Sequence, residues 1–374
     1  MATSLRERFE LLGCIQCGRC TAGCPVSLRT YLNVRKVVYE GVTGSGPRDA
    51  TGRPEAWNCT TCSNCTDRCP KGVKPMELLI GLRSAAIERG KAQPTVRDAL
   101  ESTLKHGNPW GRIRDKRMDW AEGLDVPVAG EGEKARLLFY VGCTSAYDPL
   151  AQAGSRALAA VLAAAGVKYA TLGTAESCCG SEIRRMGEDG LFELLSEGNR
   201  EMFRDRGVET IVTNSPHCMN TFRNEYGEHG ITVLHYSQLL AGLLDDGSLK
   251  LGTSVDMKVT YHDPCFLGKH NHIYDEPRRV LRAIPGITFV EMDRSRERAL
   301  CCEGGGGRMW VEPPKERGER LADLRVKDAV ALGAARIVTA CPFCLKTLDD
   351  AVKTSGNEGK IAPIDLAELV AMAL

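Results

Sequence analysis

The residues of this sequence best suited to chemistry are its 17 cysteines, several of which form two wide frames of the same design. The frames are Cys143, Cys178-Cys179 and Cys218, and then Cys265, Cys301-Cys302, Cys341 and Cys344. Equivalent cysteines are offset by 122, 123 and 126 residues, and so regular an offset indicates a duplicated module. In a reducing compartment, thiols in such numbers are expected to be metal ligands or redox groups rather than structural disulfides.

The other cysteines form two tight groups with the spacing Cys-x2-Cys-x2-Cys-x3-Cys-Pro: Cys14, Cys17, Cys20 and Cys24, and Cys59, Cys62, Cys65 and Cys69. This is the bacterial ferredoxin spacing, in which the fourth cysteine ligates the other cluster. It predicts one [4Fe–4S] cubane on Cys14, Cys17, Cys20 and Cys69, and a second on Cys59, Cys62, Cys65 and Cys24. Zinc ribbons are the alternative, but their two-residue knuckles do not need the third and fourth cysteines.

The elements that must position the wide frames alternate between strands and helices. In each module one strand is predicted before the first cysteine, at 136–141 and 257–261, and another before the last cysteines, at 209–213 and 335–339. Helices are predicted between them, for example at about 150–165. This alternation predicts a parallel sheet in each module. Open α/β sheets hold ligands at the carboxyl ends of their strands, so the cysteines are expected to converge there.

The predicted fold class is therefore α/β with an α-helical ferredoxin domain and two duplicated parallel α/β modules that carry cysteine clusters at strand ends. The predicted domains are a helical dicluster ferredoxin domain at 1–90, a linker with one short helix at 91–135, and modules at 136–255 and 256–374. Within the first domain, 28–40 and 75–89 have apolar residues at helical spacing and are predicted helices.

Composition sets the broad class. Hydrophobic residues make up 43% of the chain and charged residues 26%, as in soluble globular proteins. No apolar run is long enough to span a bilayer, and the first ten residues lack the apolar core of a signal peptide, so a cytoplasmic location is predicted. The odd cysteine count also disfavours an extracellular disulfide scaffold.

Charge is unevenly distributed along the chain. Residues 1–130 contain 20 Lys and Arg against 14 Asp and Glu, whereas the rest contains 29 against 34. A basic amino-terminal third suits docking of an acidic partner, and a solvated surface without a partner is the alternative. Aromatic residues are only 6% and are not interleaved with basic ones, so no nucleic-acid partner is predicted.

The motifs Cys14-Ile-Gln-Cys-Gly-Arg-Cys-Thr-Ala-Gly-Cys-Pro25 and Trp57-Asn-Cys-Thr-Thr-Cys-Ser-Asn-Cys-Thr-Asp-Arg-Cys-Pro70 resemble the ferredoxin subunit of heterodisulfide reductases. The doubled frame resembles their catalytic subunit, which is built from CCG cysteine-rich domains. Both in one chain, in this order, resemble the fused D-type subunit over essentially the whole length. Iron–sulfur subunits of glycolate and lactate oxidases are similar in pattern, as are subunits of large anaerobic reductase assemblies, including aryl-CoA reductase complexes.

The resemblance implies that a five-cysteine frame binds a noncubane [4Fe–4S] cluster. The second module has all five ligands, Cys265, Cys301, Cys302, Cys341 and Cys344, and Cys301 and Cys302 are its candidate catalytic residues. In the first module Ser215 replaces the equivalent of Cys341. The remaining Cys143, Cys178, Cys179 and Cys218 would hold an ordinary [4Fe–4S] cluster, a Ser215-ligated cluster or no metal.

Glu303 is a second departure, because the family pattern has glycine after the cysteine pair. The following glycine run, 304–307, allows close backbone approach, and Gly304, Gly305 and Arg308 are predicted to stabilise the cluster from outside its ligand shell. The run lacks the context of a phosphate loop, and no dinucleotide fingerprint occurs, so no flavin or NAD is predicted.

Two histidines flank the cluster loops. His217 and His262 are predicted to donate hydrogen bonds near the ligands, or protons during thiol chemistry. Three further residues, Lys269, His270 and His272, are predicted to lie on the surface near the second module's site, where contact with an anionic substrate is an open alternative.

The predicted function is an iron–sulfur electron-transfer subunit of a multi-subunit anaerobic redox complex, passing electrons between two cubanes and a noncubane cluster in the second module. The alternatives are a disulfide reductase at the second module, an iron–sulfur subunit of a glycolate- or lactate-oxidase-like system, and a zinc-binding scaffold. The predicted partners are a flavoprotein or further iron–sulfur subunits. No membrane span is predicted, and peripheral association through a partner is an alternative.

Overall fold

The structure is a computed structural model that describes residues 9–312 and 318–374. Its centre is two parallel sheets. The first has the order β1-β2-β3, with strands Leu137–Tyr140, Thr210–Thr213 and Thr232–His235. The second has the order β5-β4-β6-β7, with β4 Met257–His262, β5 Ile287–Phe289, β6 Arg336–Thr339 and β7 Ala362–Asp365. All neighbouring strands are parallel, so the predicted duplicated α/β architecture is confirmed.

The two sheets correspond strand by strand, except at one edge. Strands β1, β2 and β3 match β4, β6 and β7 in order and register. The second sheet gains β5, which pairs with the start of β4. In the first module the equivalent edge is only an isolated bridge from Leu138 to Ala170. A three-residue strand with partly exposed side chains gives little periodic signal, and the sequence pattern did not predict it.

The described amino-terminal part and the following segment contain α-helices of 4 to 14 residues: α1 Arg19–Ala22, α2 Val34–Thr43, α3 Asn64–Asp67, α4 Pro75–Glu88 and α5 Pro94–His106. Helix α2 begins six residues later than the apolar pattern predicts. Asn33 ends the preceding loop by accepting a hydrogen bond from Lys36 N (3.0 Å), which fixes the first turn at Val34.

Residues 91–135, predicted as a linker with one short helix, contain more structure than expected. Helix α5 has 13 residues, and a 3₁₀-helix follows at Arg114–Ala121. Two buried residues of that 3₁₀-helix, Arg117 and Trp120, join the first module, where Trp120 packs edge-on against Phe139. The segment is therefore part of the packed structure rather than a free connection.

The helices of the modules follow the strand ends: α6 Cys143–Tyr147, α7 Pro149–Ala164, α8 Ser181–Met186, α9 Asp189–Asp205, α10 Pro216–Asn224, α11 Tyr236–Asp245, α12 Cys265–Asn271, α13 Asp275–Ala283, α14 Leu321–Ala331, α15 Pro342–Thr354 and α16 Leu366–Ala371. In both modules the first and last frame cysteines lie at or beside the start of a helix that follows a strand. Among the described residues, no helix is long and apolar enough to cross a membrane.

Candidate metal centres

The first amino-terminal cysteine group lies at the surface. Cys14, Cys17, Cys20 and Cys69 line one cavity, as the sequence predicts for one cubane, and we call this the outer site. Cys17 is exposed. The Gln16 backbone N–H and side-chain amide both donate to Cys14 Sγ, at 3.4 and 3.2 Å. N–H groups aimed at a ligand sulfur are the arrangement that stabilises a bound thiolate.

The second group is enclosed. Cys24, Cys59, Cys62 and Cys65 are at most 9% exposed, and we call them the inner site. Burial raises the pKa of the Cys24, Cys59 and Cys65 thiols, and the pKa of Cys65 is raised further by its neighbours in the group. Without a metal these thiols are neutral, so binding of a metal as thiolates would release protons.

The two loops share an unusual backbone conformation. Gln16 and Gly18 have positive φ angles of 57° and 77°, and the equivalent Thr61 and Ser63 have 50° and 65°. Side chains with Cβ rarely adopt this conformation, which costs about 1 kcal/mol or more per residue. This shared left-handed conformation directs backbone N–H groups toward the cysteine sulfurs. Thr61 N donates to Cys59 Sγ (3.4 Å), as Gln16 N does to Cys14 Sγ.

The first module brings its four cysteines together. Cys143, Cys178, Cys179 and Cys218 are buried and line one cavity, and Cys143 Sγ lies 3.9 Å from Cys178 Sγ. The cavity also includes Ser215, whose hydroxyl caps helix α10 by accepting from Cys218 N (3.4 Å). Ser215 therefore lies where a fifth ligand would, but its oxygen already has a backbone partner.

The second module assembles a matching group. Cys301, Cys302, Cys341 and Cys344 are buried and Cys265 is half-buried, with Cys302 Sγ and Cys344 Sγ 3.2 Å apart. Cys302 carries a lowered pKa because Cys301, Cys344 and His262 hydrogen-bond to it. Burial opposes ionisation of Cys341, yet hydrogen bonds from Cys344 and His217 lower its pKa to about 6. These two thiols are the ones best prepared to ligate as thiolates.

The residue after each cysteine pair has the same backbone conformation and makes the same hydrogen bond in both modules. Gly180 N donates to Cys178 Sγ (3.4 Å) with φ 82°, and Glu303 N donates to Cys301 Sγ (3.3 Å) with φ 69°. Glu303 thus adopts the left-handed conformation that glycine takes in the first module. Its buried carboxylate forms an ion pair with Arg29 of the amino-terminal part (3.3 Å).

His217 of the first module lies against the second module's site. Its ring stacks on Phe266 with 4.0 Å between centroids, and its Nδ1 lies 2.8 Å from the Glu182 carboxylate. Burial opposes protonation of the imidazole, but hydrogen bonds with Cys341 and Glu182 raise the pKa of His217 to about 10. The raised pKa favours the protonated imidazole, and the contact with Cys341, a predicted ligand of the neighbouring module, is consistent with the hydrogen-bonding role predicted for His217.

His262 is closer to the ligands than the sequence indicated. Ligand atoms of His262, Cys302 and Cys344 lie within 4.8 Å of one another. The imidazole is buried, and its Nδ1 has no hydrogen-bond partner among the described residues. His262 is the last residue of β4, so the strand end aims it at the site. A lone histidine before Asp-Pro-Cys gave no spacing signal that would separate a ligand from a neighbour.

The residues predicted to lie on the surface near this site are placed differently. Lys269 is buried and donates to Ala299 O (2.8 Å), and His270 is half-buried, stacked on Phe266 and bonded to Thr61 O (2.9 Å). His272 is exposed, as predicted. Lys269 thus bonds the loop before the Cys301-Cys302 pair, and His270 bonds the ferredoxin loop, so neither side chain is free to contact a substrate.

The glycine run packs against the inner site. A Cβ on Gly306 would lie 2.6 Å from Cys59 O, and one on Gly305 would lie 3.2 Å from Thr60 O. Gly307 N donates to Glu182, Arg308 bonds Asn58 Oδ1 (3.3 Å), and Gly304 faces Phe343 and Thr347. The glycine run does approach another backbone closely, as predicted, but that backbone belongs to the ferredoxin loop at Cys59 and Thr60. A stabilising role of Gly304, Gly305 and Arg308 toward a cluster stays a prediction.

Arg83 holds this contact together. The fully buried guanidinium donates to four backbone carbonyls, those of Ala56 (2.8 Å), Cys59 (2.7 Å), Arg185 (2.8 Å) and Gly306 (2.8 Å). These belong to the amino-terminal part, the first module and the second module. Sequence reasoning missed Arg83, although a cation inside the apolar run of α4 is a signal for a buried contact.

The donor chemistry of all four groups fits iron–sulfur clusters. Thiolates are the soft ligands that such clusters select, and each group provides four or five sulfurs close together. The N–H groups directed at Cys14, Cys59, Cys178 and Cys301 supply the hydrogen bonds that ligating sulfurs accept. The described residues therefore match the predicted cofactor class at every site.

Comparison with known families gives two matches along this chain. Residues 10–73 match the 4Fe-4S dicluster domain, and residues 137–223 and 259–349 each match the cysteine-rich domain CCG. The matched segments contain the two tight groups and the two wide frames.

Curated relatives are similar over nearly the whole chain. The "Probable iron-sulfur-binding oxidoreductase FadF" of Bacillus subtilis is 33% identical, covering 98% of this chain and 60% of its own length. The "EtfAB:quinone oxidoreductase" of Syntrophomonas wolfei is 30% identical, covering 99% and 59%. The D-type subunit of the dihydromethanophenazine:CoB–CoM heterodisulfide reductase of Methanosarcina barkeri is 30% identical, covering 98% and 95%. This chain thus spans about 60% of the length of the first two relatives and nearly all of the third.

Proposed function

This chain belongs to the iron–sulfur family of the D-type heterodisulfide reductase subunits, in which a 4Fe-4S dicluster domain precedes two CCG domains, and we propose that it relays electrons between its ferredoxin part and its second CCG module. As a member it is an iron–sulfur oxidoreductase or electron-transfer subunit related to those D-type proteins. The finer proposal is two cubanes, at the outer and inner sites, and a noncubane cluster on Cys265, Cys301, Cys302, Cys341 and Cys344. We further propose a ferredoxin domain at 1–90 and CCG modules at 136–255 and 256–374, with 91–135 as a structured segment that packs against the first module. We also propose a redox partner that is a flavoprotein or an iron–sulfur subunit.

The observation that carries the proposal is the contact between the glycine run and the inner site. The loop that leaves Cys301-Cys302 passes directly over Cys59 and Thr60, at a distance that only glycine permits. Clusters bound at the two sites would supply one-electron transfer. Arg83 and the Glu303–Arg29 ion pair fix the two parts relative to each other.

Widening this contact tests the relay. Gly306→Ala places a methyl group 2.6 Å from Cys59 O, so the loop must move away from the inner site. Gly356→Ala is the matched control, because it has a similar φ of 68° but open space around its Cβ. We expect Gly306→Ala to slow the reduction of the second module by a dye at least several-fold in anaerobic stopped-flow absorbance and rapid-freeze EPR. Reduction of the two ferredoxin sites should be unchanged, and the control should behave as wild type.

Equal second-module rates in both variants would contradict the relay. A colourless protein that contains zinc and no iron would establish the scaffold alternative instead. Iron and sulfide analysis of the anaerobically purified chain also counts the sites: about 16 irons are expected if the first module is filled and about 12 if it is empty, at four irons per cluster.

A second function, disulfide reduction at the second module, is favoured by one observation. Cys302 lines an open cleft of about 490 Å³ together with charged residues, among them Glu303, Arg308 and Lys346. A small disulfide therefore has a route to this cysteine. The reaction takes two electrons and two protons and gives two thiols.

Thiol release with reduced methyl viologen and cystamine tests this second function. Two oxidised dye molecules are expected for each disulfide cleaved, and Cys302→Ser should abolish the release. If wild-type protein releases no thiol while all its clusters are reduced, the relay is the remaining function.

A further inference from the structure

We propose that the surface around the outer site docks an electron-carrier protein whose own redox centre is surrounded by carboxylates, and that single electrons cross there. We call this surface the outer face and define it by Leu12, Ile15, Cys17, Arg19, Arg35 and Lys71. The inference rests on the proposed function, because it requires a cluster at the outer site. Each electron that this chain gains at the outer site is lost by the carrier, and each electron that it loses there is gained by the carrier.

The outer face is where a predicted ligand reaches the surface. Cys17 is exposed, whereas the inner-site cysteines and the four cysteines of the first module are buried. In the second module the four cysteines from Cys301 to Cys344 are buried and Cys265 is half-buried. A protein carrier must bring its redox centre close to a partner centre, and the outer site offers the least intervening protein.

Apolar side chains flank this ligand without covering it. Leu12 is 67% exposed and Ile15 is 61% exposed, on either side of Cys14. Single exposed apolar residues need no explanation, but two beside an exposed ligand form the small apolar centre that interfaces place inside a polar rim.

The rim is cationic. Arg19, Arg35 and Lys71 line the outer site together with its cysteines, and no carboxylate belongs to that lining. The side chain of Arg35 lies 3.7 Å from the Cβ position of Gly18, which places helix α2 against the cysteine loop. Glu10 precedes the first cysteine loop in the described part of the chain, and its carboxylate forms an ion pair with Lys74 (2.7 Å). The charges of Arg19, Arg35 and Lys71 have no ion-pair partner in the described ranges, so they remain for a partner's carboxylates.

A protein carrier fits these features better than an anionic membrane. Attachment to a charged bilayer takes clusters of about 4 to 8 Lys or Arg, or an amphipathic helix. The outer face has three cations on three separate elements and two apolar side chains. That is the scale of a short-lived electron-transfer encounter, in which complementary charge raises the association rate more than the affinity.

The test compares reduction of this chain by two donors in anaerobic stopped-flow experiments. One donor is a reduced two-cluster ferredoxin of acidic composition, and the other is photoreduced 5-deazariboflavin, which is neutral. The variant is Arg19→Glu/Arg35→Glu/Lys71→Glu, checked for unchanged iron content. Arg35→Glu alone, on a helix surface away from the cysteines in sequence, is the second variant in case the triple variant loses its cluster. Lys250→Glu, an exposed cation outside the ferredoxin part, is the matched control.

At low ionic strength we expect the triple variant to react at least about 10-fold more slowly with the ferredoxin, and Arg35→Glu about 3-fold more slowly. The wild-type rate should fall with added salt, and the triple variant's rate should depend little on salt. Reduction by the deazaflavin should change much less than reduction by the ferredoxin in the triple and single variants, and Lys250→Glu should match wild type with both donors. A carbodiimide should cross-link Lys71 to the ferredoxin, which reports docking independently of electron transfer.

Equal ferredoxin rates in wild type and variants, or a wild-type rate independent of salt, would overturn the docking proposal while leaving the relay intact. Salt-sensitive binding to phosphatidylglycerol vesicles, lost in the triple variant with no change in ferredoxin rate, would assign the face to a membrane and also overturn it. Failure of both donors to reduce wild-type protein would instead refute the proposed function, and this proposal with it.

Discussion

Ser215 occupies the position at which the second module has Cys341, and its hydroxyl has a structural task. The oxygen accepts from Cys218 N at the start of α10, an N-cap that Cys341 does not provide for α15. The first module thus combines a cavity lined by four thiols with a stable helix start. Compared with Cys341, the oxygen of Ser215 provides a helix cap but no fifth sulfur.

We predict that Ser215→Ala keeps the iron content of the first module. If the four cysteines hold the cluster, alanine removes only the cap, which should lower the free energy of unfolding by about 1 kcal/mol. Iron analysis and thermal unfolding under anaerobic conditions measure both effects. Loss of about four irons per chain would instead identify the Ser215 oxygen as a ligand.

Glu303 shows how a residue departs from a pattern and still preserves its geometry. It takes the left-handed backbone of glycine, donates its N–H to Cys301, and adds a carboxylate paired with Arg29. The sequence identifies the departure but not its compensation, because Arg29 lies 274 residues away in the chain.

At the scale of elements, the end of each sheet is built in the same way. Strands β3 and β7 both pass directly into a helix through a capping box, His235 with Gln238 and Asp365 with Glu368. The two boxes meet, because Tyr236 donates its hydroxyl to Asp365 Oδ1 (2.8 Å). Burial is the largest influence on this carboxyl and raises the pKa of Asp365 to about 7.

Asp365 should make stability depend on pH. Between about pH 4 and 7 the unfolded chain loses the proton of this carboxyl while the folded chain keeps it, so the free energy of unfolding falls as pH rises. Asp365→Asn keeps both accepted hydrogen bonds and removes the titration. We expect the variant to gain stability relative to wild type across this range, by at most about 4 kcal/mol, and the difference to stay constant above pH 7.

Thermal unfolding from pH 4 to 8 measures this difference. Asp246→Asn is a suitable control, since Asp246 is exposed and its pKa is lowered, by its hydrogen bonds with Ser248. A difference between Asp365→Asn and wild type that does not change with pH would show that the carboxyl titrates as an exposed one.

At the scale of the whole molecule, Arg83 joins three parts that the sequence separates widely. Its carbonyl partners lie as far as 223 residues from it. It is buried without a carboxylate partner among the described residues, and burial lowers its pKa to about 10, so it stays a cation at neutral pH. A buried cation beside Cys59 would also offset the negative charge of that cysteine if it binds a metal as a thiolate.

Arg83→Met should destabilise the junction strongly. Methionine fills much of the volume but leaves the carbonyls of Cys59, Arg185 and Gly306 without donors, at about 1 to 3 kcal/mol for each one that water cannot reach. Ala56 O keeps the hydrogen bond from Cys59 N (3.3 Å). We expect a clear fall in the unfolding temperature and faster proteolysis between the ferredoxin part and the modules. Arg89→Met, at the end of the same helix and half-exposed, should cost less than about 1 kcal/mol. Equal losses in the two variants would mean that Arg83 contributes no more than a surface ion pair.

The cysteine groups, their duplication, the parallel α/β modules and the family could be predicted from the sequence alone, because spacing and periodicity are local properties of the chain. Helix α4 and most strands of the modules were predicted within one or two residues for the same reason. The later start of α2 and the structured segment at 91–135 depended on a cap and on packing against the first module.

The way in which the sites face one another is visible in the folded structure and not in the sequence pattern. His217 of the first module contacts Cys341 of the second, the glycine run covers Cys59 rather than its own cysteines, and Arg83 holds three parts together. Each of these contacts joins residues that are 100 or more positions apart in the chain. Such contacts follow from how complete surfaces pack, and no short pattern encodes them. The outer site's exposure is decided in the same way, since its loop has the same spacing and backbone curl as the buried inner one.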